Sequence, residues 1–291
     1  MLSQVKFKKH VAAGAALIAL MALQDVSAAE LKPKTVAAFD RYVRLTEDRV
    51  RKEVNGEGPF LWVDSLLAPR RQQVYEQLRK GGVVVERLKT LDDGKEIQVP
   101  SGMIHHWVGV GFVSGVSPEE AARLTLDYDR HQSTYAPDVV NSKLLHQDGD
   151  FYRAHLRFLK KKVITVVLDT EHEAHYLRVD STRSHTWSHS THIVQVDNAG
   201  QPDERQKPEG KDGGFMWRLY TYWRFEEKDG GTYVQCESVT LTRDIPWAIG
   251  WMIRGFVESI PRESLTFTLE KTRIALAVRS EERRVGKECR L

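Results

Sequence analysis

Histidine is the residue type in this chain most suited to metal binding or proton transfer, and five histidines lie close together in the middle of the sequence. Alternation along one predicted strand places His185 and His189 on one face and His192 on the other. Two such imidazoles could share a metal ion, but a zinc site needs a third ligand and groups that orient it. His172 and His175 lie just before the strand, and His105, His106 and His155 on other strands could contribute, but the sequence does not place them. We therefore interpret these histidines as polar strand residues among serines and threonines, which face solvent or hydrogen-bond the neighbouring loop. We predict no metal and no other cofactor.

A buried acid could serve as a general base, and Glu237 is the first candidate. A tight turn, described below, sets Glu237 opposite Tyr222, on the strand face that also carries Arg218 and Arg224. On that face we expect a solvated charge pair of little energetic weight. Only a slip in strand pairing would turn Glu237 towards the interior, which is the less favoured alternative.

A second candidate group is Asp127, Asp129, Arg130 and His131, where a carboxylate and an imidazole could exchange a proton. A charged loop surface is the commoner arrangement, and we favour it. The chain contains no nucleophile elbow, phosphate-binding loop, dinucleotide-binding glycine pattern or zinc-protease motif. No catalytic residue is predicted.

Two aromatic strands joined by Asp229-Gly230 provide the strongest structural signal. That dipeptide suits a two-residue turn in which both residues need positive φ. From Phe215 onwards residues alternate between two faces, as in a strand with one buried side. The turn then predicts the pairs Phe225 with Val234, Trp223 with Cys236, Thr221 with Ser238, Leu219 with Thr240, and Trp217 with Thr242.

A long amphipathic helix follows, predicted from Pro261 to Val278. Proline suits a first helical turn, and the stripe that faces the sheet consists of Leu265, Leu269, Thr272 and Leu276, with Thr268 beside it. The preceding segment, Pro246 to Val257, is apolar and interrupted by two glycines. It is too short to span a bilayer, but it could close over a bound molecule or touch a membrane surface.

The first residues predict a secretion signal. Three lysines precede an apolar run, and Val26-Ser27-Ala28 resembles a cleavage site, so the mature chain would begin near Ala29 in the periplasm or outside the cell. The total is 43 basic and 40 acidic residues. The signal holds three basic and one acidic residue, and the stretch from Ser280 holds four and three, which leaves 36 of each. Such a balance does not indicate nucleic-acid binding, and Cys236 is predicted to be a small buried residue.

We divide the chain into a signal peptide (1–28), a mostly helical N-terminal extension (29–100), a main domain (101–279) and a tail (280–291). Within the extension a helix is predicted from Pro33 to Val54. In the main domain, Ser117-Pro118-Glu119-Glu120 is a capping box that begins a helix, and several antiparallel strands follow. The tail breaks the apolar pattern and resembles a translated adapter sequence, so we predict that it is not native; a solvated basic end is the alternative.

Five features between Gly102 and Ala277 form a recognisable set: the strand Met103–Val113, the capping box, Asp127-Tyr128-Asp129, Tyr222 to Phe225, and Thr240 to Pro246 with the final helix. On these residues the region resembles the helix-grip (SRPBCC) superfamily, which includes START lipid-transfer domains, polyketide cyclases and coenzyme-Q-binding proteins. It implies an α+β fold in which a curved antiparallel sheet wraps around the long C-terminal helix. It also suggests an exported bacterial member of that superfamily.

With this fold, we expect a cavity between sheet and helix that binds a lipid, quinone or polyketide-like molecule, with transient membrane contact as a further possibility. The predicted lining consists of Trp217, Leu219, Thr221, Trp223, Cys236, Ser238, Thr240, Leu265, Thr268, Leu269 and Thr272, with Trp247, Trp251 and Phe256 at the mouth. A cyclase-like enzyme on the same fold and an envelope interaction protein with a filled core are the alternatives, since one fold hosts many functions.

Overall fold

The computed structural model describes residues 29–161, 164–244 and 247–288, with side chains for 29–161, 164–244 and 259–282. The predicted signal peptide therefore lies outside the described residues, as do the side chains of Trp247, Trp251 and Phe256. The domain boundaries and the non-native tail stay predictions. No helix in the described ranges has a stretch long and apolar enough to cross a membrane.

The N-terminal part contains two helices and several short strands. In chain order these are β1 (Ala29–Glu30), α1 (Pro33–Val54), α2 (Ala68–Arg79), β2 (Val84–Arg87), β3 (Leu91–Asp92) and β4 (Lys95–Glu96). The main part continues with β5 (Gly102–Ser114), α3 (Pro118–Leu126), α4 (His131–Thr134), β6 (Val139–Asp148), β7 (Phe151–Lys161), β8 (Thr165–Arg178), β9 (Arg183–Asp197), β10 (Arg205–Gln206), β11 (Lys211–Asp212), β12 (Arg218–Lys228), β13 (Gly231–Arg243) and α5 (Trp247–Glu288).

One antiparallel sheet organises the described residues, with strand order β2-β5-β13-β12-β9-β8-β7-β6 and β10 attached to β9. We call the face that carries Gly109, Trp223 and Cys236 the inner face, and the face that carries Tyr222 and Glu237 the outer face. The helix α5 packs on the inner face together with α3 and α4. The helices α1 and α2 pack on the outer face.

The sheet curves around α5. Leu269 of this helix lies so close to β5 that a Cβ on Gly109 would be 2.4 Å from its Cδ1. Phe267 of the same helix reaches β7, where Lys160 Nζ lies over its ring at 5.9 Å from the centroid. In a flat sheet β5 and β7 would be about 24 Å apart, with strands about 4.8 Å apart, whereas a helix is only about 10 Å wide. One helix can touch both strands only if the sheet bends, so the predicted helix-grip fold is confirmed.

The hairpin predicted from Asp229-Gly230 is confirmed. Asp229 and Gly230 both have positive φ, and β12 pairs with β13 in the predicted register from Arg218 onwards. The prediction is wrong for Trp217, which precedes the ladder and packs among the outer-face residues with α1. Its indole Nε1 donates to Asp212 Oδ1 at 3.2 Å. Because Trp217 lies outside the ladder, strand alternation does not determine its direction.

Two further local signals behave as predicted, whereas the final helix differs from its predicted bounds. The helix from Pro33 to Val54 is confirmed, and the capping box of Ser117 and Glu120 is present in both directions. The final helix was predicted from Pro261 to Val278, but it runs from Trp247 to Glu288 and contains Pro261 in its interior. Interior glycine costs a helix about 1 kcal/mol and proline about 3 kcal/mol, so these residues weaken a helix but do not forbid it. The apolar segment with the two glycines is therefore helical from Trp247 onwards.

Gly231, directly after the hairpin turn, provides a test of close packing between β13 and β5. A Cβ at this position would lie 2.2 Å from the Val113 carbonyl oxygen and 2.7 Å from Ser114 Cα. Backbone atoms cannot move aside as a side-chain end can, so Gly231→Ala should cost roughly 2–3 kcal/mol of unfolding free energy. In Gly111→Ala the nearest atom would be Val83 Cγ2 at 3.7 Å, and we expect a change within about 0.5 kcal/mol. Urea unfolding measures both; equal effects would contradict the packing described.

Candidate functional site

The inner face of the sheet is unusually rich in hydroxyl groups. Strand pairing aligns every second residue of β9 with the inner-face residues of β12, and these in turn with β13. The hydroxyl-bearing positions are Ser184, Thr186, Ser188 and Ser190 on β9, Thr221 on β12, and Ser238, Thr240 and Thr242 on β13. Trp107, Leu219 and Trp223 lie among them. The surface under α5 is therefore apolar in part, with many neutral hydrogen-bonding groups.

Half of this inner face is filled by the protein's own side chains. Leu265 and Leu269 of α5 are buried against Trp223 and Cys236 in a cluster that also contains Phe225 and Leu276. Thr272 is fully buried, and its hydroxyl lies 3.0 Å from that of Tyr135. Trp223, Cys236, Leu265, Leu269 and Thr272 were predicted to line a cavity, but in this half they form core contacts. The reason is the absence of a Cβ on Gly109, which lets α5 approach the sheet.

The other half is accessible. Leu219, Thr221 and Ser238 are only partly buried, as are Trp107 and Thr268, although their neighbours on the same face are buried. Ser188 Oγ lies 2.7 Å from Thr221 Oγ1 and bridges β9 to β12. This set, which we call the open half, lies beside the N-terminal part of α5, because α5 runs parallel to β5 with Leu265 near Gly109 and Ser280 near Gly115.

The polar groups at the junction of α4, α5 and β8 are neutral and mostly satisfied. His131 of α4 lies between the rings of Tyr128 and Tyr135, with centroids 4.7 and 5.0 Å away. His172 of β8 is buried, and its Nε2 lies 2.9 Å from Thr170 Oγ1. Burial lowers the pKa of His131 to about 4 and that of His172 to about 3, because desolvation disfavours the charged imidazolium. Neither histidine carries a charge near neutral pH.

One polar atom at this junction has no partner. His131 is 7% exposed, and its Nε2 is buried without a hydrogen bond among the described residues. The same holds for the indole Nε1 of Trp107 in the open half. Buried polar atoms are nearly always paired with protein, water or ligand. Of the two, Trp107 Nε1 lies in the open half, where the acceptor atom of a bound molecule would pair with it.

Glu237 lies on the outer face, as the register predicts, but the prediction of a solvated charge pair is wrong. The carboxylate is 1% exposed because α1 covers it. His106 Nε2 donates to its Oε1 at 2.7 Å, and Arg49 of α1 forms an ion pair with it. On the other side of the imidazole, the hydroxyl of Tyr42 lies 2.8 Å from Nδ1 and accepts the Thr90 N–H at 2.8 Å.

Arg224 extends this network. Its guanidinium donates to the Phe60 carbonyl at 2.7 Å and to Glu53 at 2.6 Å, and Glu53 also binds Arg49. Burial by itself would raise the pKa of Glu237, but the hydrogen bond and charge of His106 and the charges of Arg49 and Arg224 lower it to about 2. The carboxylate is thus held ionised between matched partners. It fastens α1 to the sheet and is not placed to act as a general base.

The other acidic candidates also have structural partners. Asp127 pairs with Arg279 of α5 at 3.0 Å, and Asp129 accepts the Leu144 N–H at 2.9 Å. These contacts tie α5 and β6 to the loop before α4. We assign neither carboxylate to a catalytic role.

Among known proteins, the chain is similar to solved structures in its fold, whereas sequence comparisons find no match. No family model matches it, and no curated protein matches at a significant level. Similar structures include the STAR-related lipid transfer protein of Xanthomonas axonopodis, with TM-score 0.41 and 14% identity, covering 65% of this chain and 98% of that chain. Human STARD10 has TM-score 0.42 and 7% identity, covering 71% and 80%. The Zhui aromatase/cyclase of Streptomyces sp. R1128 has TM-score 0.40 and 9% identity, covering 62% and 96%. At these values the likenesses do not bear on what this chain binds.

The structure brings together some predicted residues and adds others. Leu219, Thr221, Ser238 and Thr268 do lie together in the open half, and Thr240 lies beside them, buried. The serine and threonine row of β9 was missed, although its strict alternation from Ser184 to Ser190 is visible in the sequence. Nothing in the sequence indicates that Trp107 and His131 reach this face.

Proposed function

We propose that this protein binds a hydrophobic small molecule against the open half of the inner face. The main support for the proposal is a difference in side-chain exposure between the two halves of the inner face. Leu219, Thr221 and Ser238 are partly exposed, whereas the adjacent half is filled by packed side chains. A mixed apolar and hydroxyl-bearing concave surface with a few polar groups is typical of small-molecule sites. The unpaired indole nitrogen of Trp107 at this surface supports a ligand with at least one hydrogen-bond acceptor.

The energetics of such a complex are sufficient without any catalytic residue. Burying about 400 Å² of apolar ligand surface contributes on the order of 10 kcal/mol. Roughly half of this can be lost to the entropy of association, and the remaining ~5 kcal/mol corresponds to a dissociation constant of a few tenths of a millimolar. Carriage or sequestration of a lipid, quinone or polyketide-like molecule is the role that we propose.

We further propose that the protein acts after export, in the periplasm or outside the cell, with transient contact to a membrane surface where the ligand is exchanged. The lysine-rich start, the apolar run and Val26-Ser27-Ala28 support export. N-terminal sequencing of the protein recovered from the periplasmic and extracellular fractions tests it. A sequence beginning near Ala29 is expected, and full-length protein in the cytoplasm would contradict export.

Placing a charge in the open half tests the binding proposal. We expect Leu219→Glu to weaken binding of the apolar fluorescent probe N-phenylnaphthylamine by at least about tenfold, which corresponds to about 1.4 kcal/mol. The matched control is Leu177→Glu, because Leu177 is 43% exposed on the outer face of β8. Probe titration with the purified protein measures both variants, and thermal melting verifies that both are folded. If the two variants bind the probe equally well, the open half is not the site.

A further inference from the structure

We propose that Asp212 is the partner of the α-ammonium group that processing creates at Ala29, and that this ion pair forms in the exported protein but not in its precursor. The inference rests on the export proposed above and gives it a consequence for the folded chain. Hydrolysis of the Ala28–Ala29 peptide bond consumes one water molecule. It leaves a carboxylate on Ala28 and an ammonium on Ala29.

Asp212 is a buried carboxylate that lacks a cationic partner. It is 2% exposed, and its Oδ1 accepts two uncharged N–H groups, from the Gly214 backbone at 2.7 Å and from the Trp217 indole at 3.2 Å. Lys207 acts on it only through its charge, and within the described ranges Lys207 forms its ion pair with Asp197, at 3.3 Å. Burial raises the pKa of Asp212 despite these contacts, because desolvation disfavours the charged form. A cation beside Asp212 would therefore stabilise the fold.

Strand pairing places Ala29 directly opposite Asp212. The strands β1 and β11 are antiparallel, with these two residues as partners, and opposite residues have Cβ atoms about 5 Å apart. The Leu31 N–H donates to the Gly210 carbonyl at 2.8 Å. Hydrogen-bonded pairs recur at every second position of an antiparallel ladder, so the nitrogen of Ala29 points to the main chain of Asp212. The carboxylate is then within one side-chain length of this nitrogen.

Processing changes the charge of the Ala29 nitrogen. In the precursor this nitrogen is an uncharged amide with one N–H. In the processed chain it is an ammonium with three N–H groups, so one can stay on the Asp212 carbonyl while another turns to the carboxylate. The ordinary pKa of an α-amino group is about 8, and a nearby carboxylate favours the charged form. The group is therefore charged at neutral pH.

The ion pair would fasten the connection from β11 to β12, which leads to the open half. Ala29 packs against the outer-face cluster that contains Trp217, and Asp212 binds the Trp217 indole. The Trp217 N–H in turn donates to the Leu241 carbonyl at 2.8 Å, and Leu219 of the open half follows two residues later. The added stability of this connection is thus gained when the signal peptide is removed.

The experiment is a double-mutant cycle on the processed chain. One form begins at Ala29, and the other retains Ser27-Ala28, which makes the Ala29 nitrogen an uncharged amide. Both are prepared with Asp212 and with Asp212→Asn, whose side-chain oxygen still accepts both hydrogen bonds. Urea unfolding near neutral pH measures the folding equilibrium constant. We expect the two-residue extension to lower this constant at least about tenfold with Asp212, and less than about twofold with Asp212→Asn.

The matched control is Asp197→Asn, which removes a carboxylate of β9 that pairs with Lys207 and does not face Ala29. In this variant the extension should still lower the folding constant at least about tenfold. An extension that has no effect with Asp212, or the same effect with Asp212→Asn, overturns the inference, because the loss would then not involve this carboxylate.

A second measurement applies should Asp212→Asn fail to fold. Transamination of the Ala29 amine with pyridoxal phosphate converts it to an uncharged ketone at unchanged chain length. A loss of stability like that caused by the extension supports the ion pair, and unchanged stability contradicts it.

N-terminal sequencing separates this inference from export itself. A periplasmic protein that begins at Ala29 supports both. A periplasmic protein that begins at another residue leaves export in place and overturns the ion pair, whereas full-length protein in the cytoplasm contradicts export.

Discussion

Mild acid is expected to unfold this protein, with stability falling as the pH drops below about 6.5. Four buried histidines cause this: burial lowers the pKa of His105, His131 and His185 to about 4 and that of His172 to about 3. In the unfolded chain each would titrate near 6.5. Between these values the unfolded state binds more protons than the folded state, so acid favours unfolding.

The expected magnitude is large. Each of these histidines binds a proton less tightly in the folded than in the unfolded chain, by two to three factors of ten. Once the pH is below its folded pKa, each one therefore lowers the free energy of unfolding by roughly 3–4 kcal/mol. Four such residues together rival the whole stability of a typical domain, about 5–15 kcal/mol. Burial also raises the pKa values of Glu47, Glu226 and Asp212, which offsets part of the loss at lower pH, where carboxylates titrate.

Urea unfolding followed by tryptophan fluorescence at several pH values between 7.5 and 4 measures this slope. His172→Gln should make the slope shallower, whatever its effect on stability at neutral pH, because one proton-linked group is removed. Leu145→Gln, at a position 43% exposed, removes no titratable group and should leave the slope unchanged. A free energy of unfolding that stays constant over this range would show that the four histidines are not neutral in the folded protein.

Removing the Glu237 carboxylate is expected to be the most damaging single change on the outer face. Glu237→Ala leaves Arg49 and His106 without their buried partner, and breaking a buried ion pair on one side costs about 3–5 kcal/mol. The matched control is the surface pair Arg70–Glu86, at 2.9 Å with both side chains nearly half exposed. There Glu86→Ala should cost less than about 1 kcal/mol.

Two measurements distinguish the variants. Urea unfolding reports the free energies, and limited proteolysis reports whether α1 detaches from the sheet in Glu237→Ala. The pKa of Glu237, lowered to about 2, also means that this stabilisation is present at neutral pH and is lost as the pH falls from about 4.5 towards 2. If Glu237→Ala and Glu86→Ala have equal effects, the network does not hold α1.

The two faces of the sheet therefore have different roles. The outer face binds the N-terminal helices through a buried network of matched charges. The inner face has one half packed with apolar side chains and one half lined by hydroxyl groups. A molecule that enters the open half would displace no charged group of the described residues that line it, which agrees with an uncharged ligand.

Local sequence signals predicted much of the fold because they depend on neighbouring residues only. Asp229-Gly230 permits the positive φ values of a tight turn, and the turn then determines which residues of β12 and β13 face each other. The hydroxyl of Ser117 and the carboxylate of Glu120 satisfy the first amides of a helix wherever that helix packs. The apolar stripe of α5 likewise predicted which of its side chains are buried.

Tertiary structure decided the features that depend on contacts between distant segments. Glu237 is separated from Arg49 by most of the chain, and only the docking of α1 turns an exposed strand face into a buried one. A bulge in the pairing of β8 and β9 shifts the alternation, so His192 points to the same face as His185. The indole of Trp217 donates a hydrogen bond to Asp212, a contact that strand alternation does not predict. The helix α5 continues through Pro261, where the sequence pattern predicts its start. The sequence thus determined periodicity and turns, whereas burial, charge pairing and the unpaired nitrogen of His131 were set by packing between elements, which local pattern does not encode.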